Sequence, residues 1–350
     1  MESNKYFRKK LADLTLNPDS INYIEKRNGQ VFCVSDLPVE WISLDGIPLC
    51  FTHDVCRLPE TNYRSLFNEY LKNQRSRYKV PKDILKRTLV IFGVSQKANE
   101  DIEFKKWHPY VEKLSEKLVF VCKHCTSIDS VKQAIEETKP ELVIFDCHGG
   151  YDEKTRTSYL IINNEKLTGD QIIKNGISAP IVFLSACNTA PVYGYTGLIG
   201  EAFFQAGAFS VVSTFTPVSI GKGSLLYFRL LNNLDFASRK SIHTNWLEFT
   251  SHLLRSSFLQ ECFYKSPKNK KKFSREDKLT EKIGHIQSDL MDFRKRRKIF
   301  SKIKRTGRYR GGFFNFDSLS GENFLYTHLG RGDLIYFESW LEDYEKRKNT

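Results

Sequence analysis

Between Thr88 and Leu234 short apolar runs alternate with helical ones, and this alternation restricts the fold more than any other feature of the chain. "TLVIFGV" (Thr88–Val94) is rich in β-branched residues. "WHPYVEKLSEKL" follows with helical spacing, then "LVFVC" (Leu118–Cys122) and the helical "IDSVKQAIEETK". "ELVIFDC", "PIVFLSAC" (Pro180–Cys187), the helical "GLIGEAFFQAG", "AFSVVSTF" and the amphipathic "GSLLYFRLLNNL" continue the series. Apolar strands with little alternation, separated by helices, predict an α/β fold whose mainly parallel sheet is covered on both faces. One insert, "SYLIINNEKLTGDQII", is too short for a crossover unit and is expected as a small β excursion between the third and fourth main strands.

The flanks follow other patterns. In "GQVFCVSDLPVEWISLDGIPLCFTHDV" two β-rich runs flank Asp45-Gly46, which predicts an N-terminal hairpin. From about Glu60 to Lys86 the chain is polar and expected to be helical. "SIHTNWLEFTSHLLRSSFLQECF" predicts a long helix, and "KSPKNKKKFSRED" a solvated linker. Leu279, Ile283, Ile286, Leu290, Phe293 and Phe300 then share one helical face, with "RKRRK" beside it. "ENFLYTHLGRGDLIYFES" is expected as a terminal hairpin around "GRG". These patterns predict three segments: 1–86 with the hairpin, an α/β core over 87–262, and a basic helical extension with the terminal hairpin over 263–350.

With 350 residues, 40% hydrophobic, the chain can bury a large core. Its first residues, "MESNKYFRKKLADL", lack the apolar stretch of a signal peptide, and no window is long enough for a membrane-spanning helix. The expectation is a cytoplasmic protein without a transmembrane segment, its eight cysteines thiols rather than a disulfide framework. The net charge of +13 is concentrated in one place. Lys265–Arg310 holds 18 of the 54 Lys and Arg residues and 5 of the 41 Asp and Glu residues, so the rest of the chain balances at 36 of each. A nucleic-acid or other polyanion partner is therefore expected at 265–310 if anywhere, against the simpler alternative of a solvated helical face and linker. Aromatics lie nearby, but no known nucleic-acid module does.

Two runs deliver a reactive side chain to the carboxyl end of a strand, where parallel sheets gather their working groups. "LVIFDCHGG" brings His148 and "PIVFLSACNT" brings Cys187, far enough apart for one intervening unit and a return to a neighbouring strand. An imidazole can take the thiol proton, hold the ion pair and return the proton to a leaving amine. Gly149 removes a side chain where a substrate carbonyl must approach, and its N–H with that of Cys187 suits an oxyanion. Each residue also has a structural alternative, a core histidine and an inert buried cysteine.

On these stretches the sequence resembles the CHAT peptidases, cysteine proteases of the clan that holds caspases and separase. "SDLPVEWISLDGIPLCFTHDVCRLPET" resembles the family's N-terminal segment and "ELVIFDCHGGYD" its histidine motif. "APIVFLSACNTA" resembles its cysteine motif, and "GLIGEAFFQAGAFSVVSTFTPVS" the stretch after it. Caspases also place the histidine upstream of the cysteine, by about 50 residues, though their sequence around the cysteine is absent here. The resemblance implies a caspase-like three-layer sandwich, His148 as base, Cys187 as nucleophile, and no metal or cofactor. It implies a protein substrate paired by its main chain along Ser213, Thr214, Phe215, Thr216, Pro217 and Ser219. Relatives act in bacterial defence or signalling, which implies an antiviral or signalling role. Many carry helical repeats that sense a partner; none is evident here, so a separate activating partner is expected. Relatives often have an acidic pair after the fifth strand, where this chain has Ser219 and Ile220 in "TPVSIGKG", which argues against selection for Arg or Lys before the cut. Two alternatives are a catalytically silent adaptor with the same fold and a polyanion-binding protein acting through its basic segment.

Other motifs carry less. Cys122 and Cys125 in "CKHC" have zinc-pair spacing, but one pair does not complete a tetrahedral site. Cys147 alternates away from His148 and is expected to pack in the core. Asp146 shares the side of His148, where it either orients the imidazole or bonds to backbone.

Overall fold

The computed structural model describes residues 2–60, 78–94, 102–191, 198–265, 276–309, 312–313 and 322–349. They form two compact units that interleave along the chain. The larger comprises Cys33–Asp36, Cys56–Phe249 and Leu325–Thr350; the smaller comprises Met1–Phe32, Leu37–Val55 and Thr250–Phe324. The expected segments 1–86, 87–262 and 263–350 are consecutive, whereas these units are not, because the last strands return to the larger one. Among the described residues no helix is long and apolar enough to cross a membrane.

In chain order the strands are β1 (Gln30–Val34), β2 (Ser43–Leu44), β3 (Ile47–Pro48), β4 (Asp54–Leu58), β5 (Tyr78–Val80), β6 (Thr88–Phe92), β7 (Val121–His124) and β8 (Leu142–Asp146). They continue with β9 (His148–Asp152), β10 (Thr157–Ile162), β11 (Glu165–Thr168), β12 (Ile181–Ser185), β13 (Ser210–Thr214), β14 (Arg308–Tyr309), β15 (Gly312–Phe313), β16 (Tyr326–Gly330) and β17 (Ile335–Phe337). One sheet of eight strands runs β1-β4-β16-β13-β12-β8-β6-β7. Neighbours from β13 to β7 are parallel, and β16 is antiparallel to β13. This is the mixed α/β, mainly parallel architecture that the alternating runs predict.

Every residue of β6, β8, β12 and β13 is buried, as a sheet covered on both faces requires. Leu89, Ile91, Val143, Phe145, Val182, Leu184 and Val211 point to one face. There they meet Val131 and Ile135 of the helix Ile128–Thr138 and Phe203 of the helix Ile199–Gln205. The helices Ile102–Leu118 and Ile220–Arg239 pack against each other on the opposite face. The insert after β8 is the expected excursion, a three-stranded antiparallel sheet β11-β10-β9.

Four local expectations change. The strand read at Leu118–Cys122 begins at Val121, because the preceding helix runs to Leu118 and Val119 turns the chain with a φ of 62°. Residues 61–77 of the polar stretch lie outside the described residues; Tyr78–Val80 is a strand, not a helix. The terminal hairpin does not form. β16 pairs with β13 and β4, whereas β17 pairs in parallel with β5 in a separate sheet. Gly330, at a φ of 91°, permits the turn: a Cβ there would run into the Phe209 carbonyl. The single helical face divides at Asp292, whose side chain accepts from the N–H groups of Arg294 (2.8 Å) and Lys295 (3.3 Å) and starts a second helix, Phe293–Thr306.

In the smaller unit β2 and β3 form the N-terminal hairpin, with Asp45 (φ 46°) and Gly46 (φ 74°) supplying the two left-handed residues of its turn. Phe51 stands 5.1 Å from Phe258, 4.6 Å from Phe300 and 4.1 Å from Phe324, centroid to centroid, beside Leu290 and Ile303. The side chains of Leu279, Ile283 and Ile286, like the linker 266–275, lie outside the described residues. Next to this cluster Asp54, fully buried, accepts from both Arg255 and Arg296, the latter at 3.1 Å. Burial by itself raises the pKa of this carboxyl, but the two guanidinium groups outweigh it and hold the carboxyl below its usual range. Asp54→Asn leaves two buried cations uncompensated and is expected to cost about 3–5 kcal/mol. Denaturant unfolding measures it; a loss under about 1 kcal/mol contradicts this role.

Candidate active site

β8 and β12 lie side by side in parallel, with Leu142 opposite Ile181 and Asp146 opposite Ser185. Each chain then runs two residues further, one to His148 and the other to Cys187. The two sequence-predicted residues therefore sit at the same end of adjoining strands. Both are partly exposed, unlike the strand residues before them. His148 opens β9, where the chain leaves the large sheet and pairs with β10, His148 opposite Ile161 and Gly149 opposite Leu160.

The two glycines have a steric cause. A Cβ on Gly149 would run into the carbonyl oxygen of Cys187 and lie 2.9 Å from its backbone nitrogen. A Cβ on Gly150 would lie 2.6 Å from the Tyr159 hydroxyl. Both contacts are closer than real Cβ atoms tolerate, and the first is with backbone, which has no rotamer through which to escape. His148-Gly149-Gly150 is thus the segment that lets β9 pass against the cysteine loop.

That loop is fixed from the other side. Asn188, directly after the cysteine, adopts a left-handed φ of 53°, a conformation that Asn tolerates better than most residues. The Thr189 hydroxyl accepts from the Thr214 N–H (2.8 Å), and the Ala190 N–H donates to the Thr214 carbonyl (2.9 Å). Cys187 is therefore tied to the end of β13. Its Sγ donates to the Val218 carbonyl at 3.4 Å and accepts from the Val218 N–H at 3.4 Å. Val218 had no signal in the sequence beyond its place in the stretch after β13.

His148 is flanked by Phe104, whose ring meets it edge-on at 5.0 Å and 88°. Below them Asp146 is buried, its Oδ1 accepting from the Ser185 hydroxyl (3.3 Å) and its Oδ2 from the Tyr227 hydroxyl (2.7 Å). His108 Nε2 lies 3.3 Å from the same Oδ2, and the His108 ring stacks on Phe92 at 3.9 Å. Burial, and then the adjacent Asp146, push the Tyr227 hydroxyl pKa well up, so it stays a donor. The Asp146 side chain thus bonds to side chains beneath the end of β8 rather than to backbone. His108, Ser185 and Tyr227 are missed by sequence reasoning because they come from three distant elements and resemble ordinary helix or strand residues.

The structure separates the expected substrate stretch into two parts. Ser213, Thr214 and Phe215 are buried, with β16 alongside: Ser213 is opposite Thr327, and the Phe215 N–H donates to the Leu325 carbonyl. Thr216, Pro217 and Ser219 are at least partly exposed, beside the Cys187 sulfur that Val218 holds. Ser219 precedes the helix Ile220–Arg239. Cys147 packs in the core, its thiol pKa pushed far up by burial. Cys122 is raised to about 12 by burial, and Cys125 is also raised by burial. Among the described residues no group of three or more His, Cys, Asp or Glu side chains is placed to hold a metal ion.

Comparison with known proteins bears on this geometry. The CHAT domain family model matches residues 104–242, which hold both strand ends. The fold is similar to that of the complex of Porphyromonas gingivalis RgpB pro- and mature domains, with a TM-score of 0.53 at 10% identity, covering 94% of this chain and 72% of that one. It is also similar to the Arg-specific cysteine proteinase gingipain R (RgpB), with a TM-score of 0.50 at 10% identity, covering 96% of this chain and 68% of that one. No curated protein matches the sequence.

The close passage of β9 over the cysteine loop makes a direct prediction. Gly149→Ala is expected to cost about 1–3 kcal/mol through overpacking, whereas Gly284→Ala, in an open helical position, is expected to be neutral or slightly stabilising. Chemical denaturation of both variants checks this, and equal stabilities contradict it.

Proposed function

We propose that the chain, whose residues 104–242 match the CHAT domain family model and whose fold is similar to that of gingipain R, is a cysteine endopeptidase working through Cys187 and His148. The observation that carries this reading is the delivery of both residues to one end of adjoining parallel strands, with the Gly149 backbone against that of Cys187.

The chemistry proceeds in two halves. His148 takes the Cys187 proton, and the thiolate adds to the scissile carbonyl to give a tetrahedral oxyanion. Gly149 N–H and Cys187 N–H donate to that oxygen. Collapse breaks the C–N bond, His148 protonates the departing amine, and an acyl-thioester remains. Water, losing a proton to His148, then adds to the thioester; collapse releases the new carboxyl end and restores the thiol. Phe104 fixes the imidazole from the side, and Asp146 with Tyr227, Ser185 and His108 stiffens the floor. No step needs a metal or cofactor.

The substrate is a protein lying along Thr216, Pro217 and Ser219. Ser213, Thr214 and Phe215 support that edge from within the sheet, their backbone being engaged by β16 and the cysteine loop. The Arg specificity of gingipain R does not carry over, since the stretch from Thr216 to Ile220 offers no carboxylate to a guanidinium. An activating or restraining partner belongs to the same proposal, in keeping with the RgpB complex of pro- and mature domains. So does a cytoplasmic role in antiviral defence or signalling, which rests on the family resemblance.

A thiol-directed electrophilic probe tests the dyad. Wild type is expected to label at Cys187 near neutral pH and Cys187→Ala not at all, while His148→Ala labels at least about 100-fold more slowly. Equal labelling of wild type and His148→Ala overturns the dyad and favours the silent adaptor. Once active enzyme is obtained, peptides varied before the cut are expected to show no preference for Arg or Lys; a strict basic preference contradicts the pocket assignment.

A further inference from the structure

The helix Phe293–Thr306 places its basic residues in unlike surroundings. Arg296 is buried against Asp54, and Lys304 pairs with Asp45 at 2.6 Å. Arg294, Arg297, Lys298, Lys302 and Arg305 instead line one open cavity of about 700 Å³, with Ser301 between them and Asn28 opposite. Among the described residues no carboxylate lies within ion-pair distance of any of these five, although Asp292 at the helix start interacts with Arg294. Their spacing forms one stripe along the helix, about 16 Å from first to last at 1.5 Å per residue.

Such a stripe is costly when empty. Arg294 and Lys298, then Lys298 and Lys302, are like charges four residues apart, which destabilises a helix. At the helix start the Asp292 N-cap carboxylate already opposes the dipole, so the cost lies in the like-charge pairs further along. A bound anion removes that penalty. Arg side chains chelate phosphate oxygens in pairs, and Lys adds point charge. The cavity falls in the size range of small-ligand sites, about 300–1,000 Å³. It is open to solvent on one side, and no aromatic side chain lines it to stack the bases of a single strand.

We propose that this cavity binds a compact polyphosphate, an anion of three or more linked phosphates, either free or as the tail of a nucleotide. The ligand sits along the stripe, with Arg294 and Arg297 at one end, Lys302 and Arg305 at the other, and Lys298 between them. This narrows the basic segment's partner from any polyanion to one class of small molecule, and from the whole of 265–310 to one helix face.

Calorimetric titration of the full chain with inorganic tripolyphosphate tests it, with ATP as a second arm, in about 100 mM salt, where surface charges are screened beyond about 10 Å. Saturable binding of both, weakening as salt rises, is expected. Tripolyphosphate bound at least as tightly as ATP assigns recognition to the phosphates; ATP bound without tripolyphosphate overturns the proposal. Two variants on the same helix separate a site from diffuse charge. Lys298→Glu, inside the cavity, is expected to weaken binding at least about tenfold (about 1.4 kcal/mol). Lys295→Glu makes the same charge change outside the lining and is expected to leave affinity nearly unchanged. Equal loss in both variants overturns it, as does no binding. A single-stranded oligonucleotide bound more tightly with increasing length, or binding confined to anionic vesicles, overturns it in favour of those partners. The readout is binding alone, so failure here leaves the peptidase proposal intact.

Discussion

The pairing of β8 with β12 sets the geometry on which the rest depends. Five consecutive rungs, from Leu142 opposite Ile181 to Asp146 opposite Ser185, leave the register no freedom at the carboxyl end. A slip by one residue would turn Val143, Phe145, Val182 and Leu184 out of the core they share. Burial on both faces therefore fixes where His148 and Cys187 emerge. The hydrophobic effect does the positioning, and the polar contacts around the cysteine loop refine it.

Two buried carboxylates hold the chain in complementary ways. Asp54 accepts from two guanidinium groups delivered by separate helices, Arg255 from Trp246–Lys265 and Arg296 from Phe293–Thr306. Asp146 accepts from the Ser185 and Tyr227 hydroxyls, with His108 3.3 Å away, and so links β8, β12 and the helix Ile220–Arg239 beneath the strand ends. The first neutralises charge that the apolar surroundings would otherwise expel. The second satisfies the Ser185 and Tyr227 hydroxyls on a face that must remain packed, so that the strand ends above it do not shift.

The central strands, the excursion after β8 and the two strand-end residues were legible because their signals are local: apolar runs, flanking helices, and a histidine followed by glycines. Most of what escaped was set by long-range pairing, and one part by a local cap. "ENFLYTHLGRGDLIYFES" has a hairpin's composition, and only the vacancy beside β13 explains why β16 goes there instead. Asp292 looked like a polar position on one continuous helix, but its side chain competes for the backbone and starts a new one. Ser213–Phe215 read as an accessible edge for the same reason, since their neighbour comes from far along the chain. The glycines had a legible role but hidden causes, namely the Cys187 carbonyl for Gly149 and the Tyr159 ring for Gly150.

The placement of β16 also bears on how the molecule is made. β13 gains this neighbour only after all of Phe215–Leu325 has left the ribosome, because the strand beside it is Tyr326–Gly330. Until then the central sheet is short of a member, and a row of unpaired amides and carbonyls faces solvent along a β-branched strand, the kind of margin on which chains stick to one another. Nascent chains halted before Tyr326 should accordingly be substrates for holding chaperones.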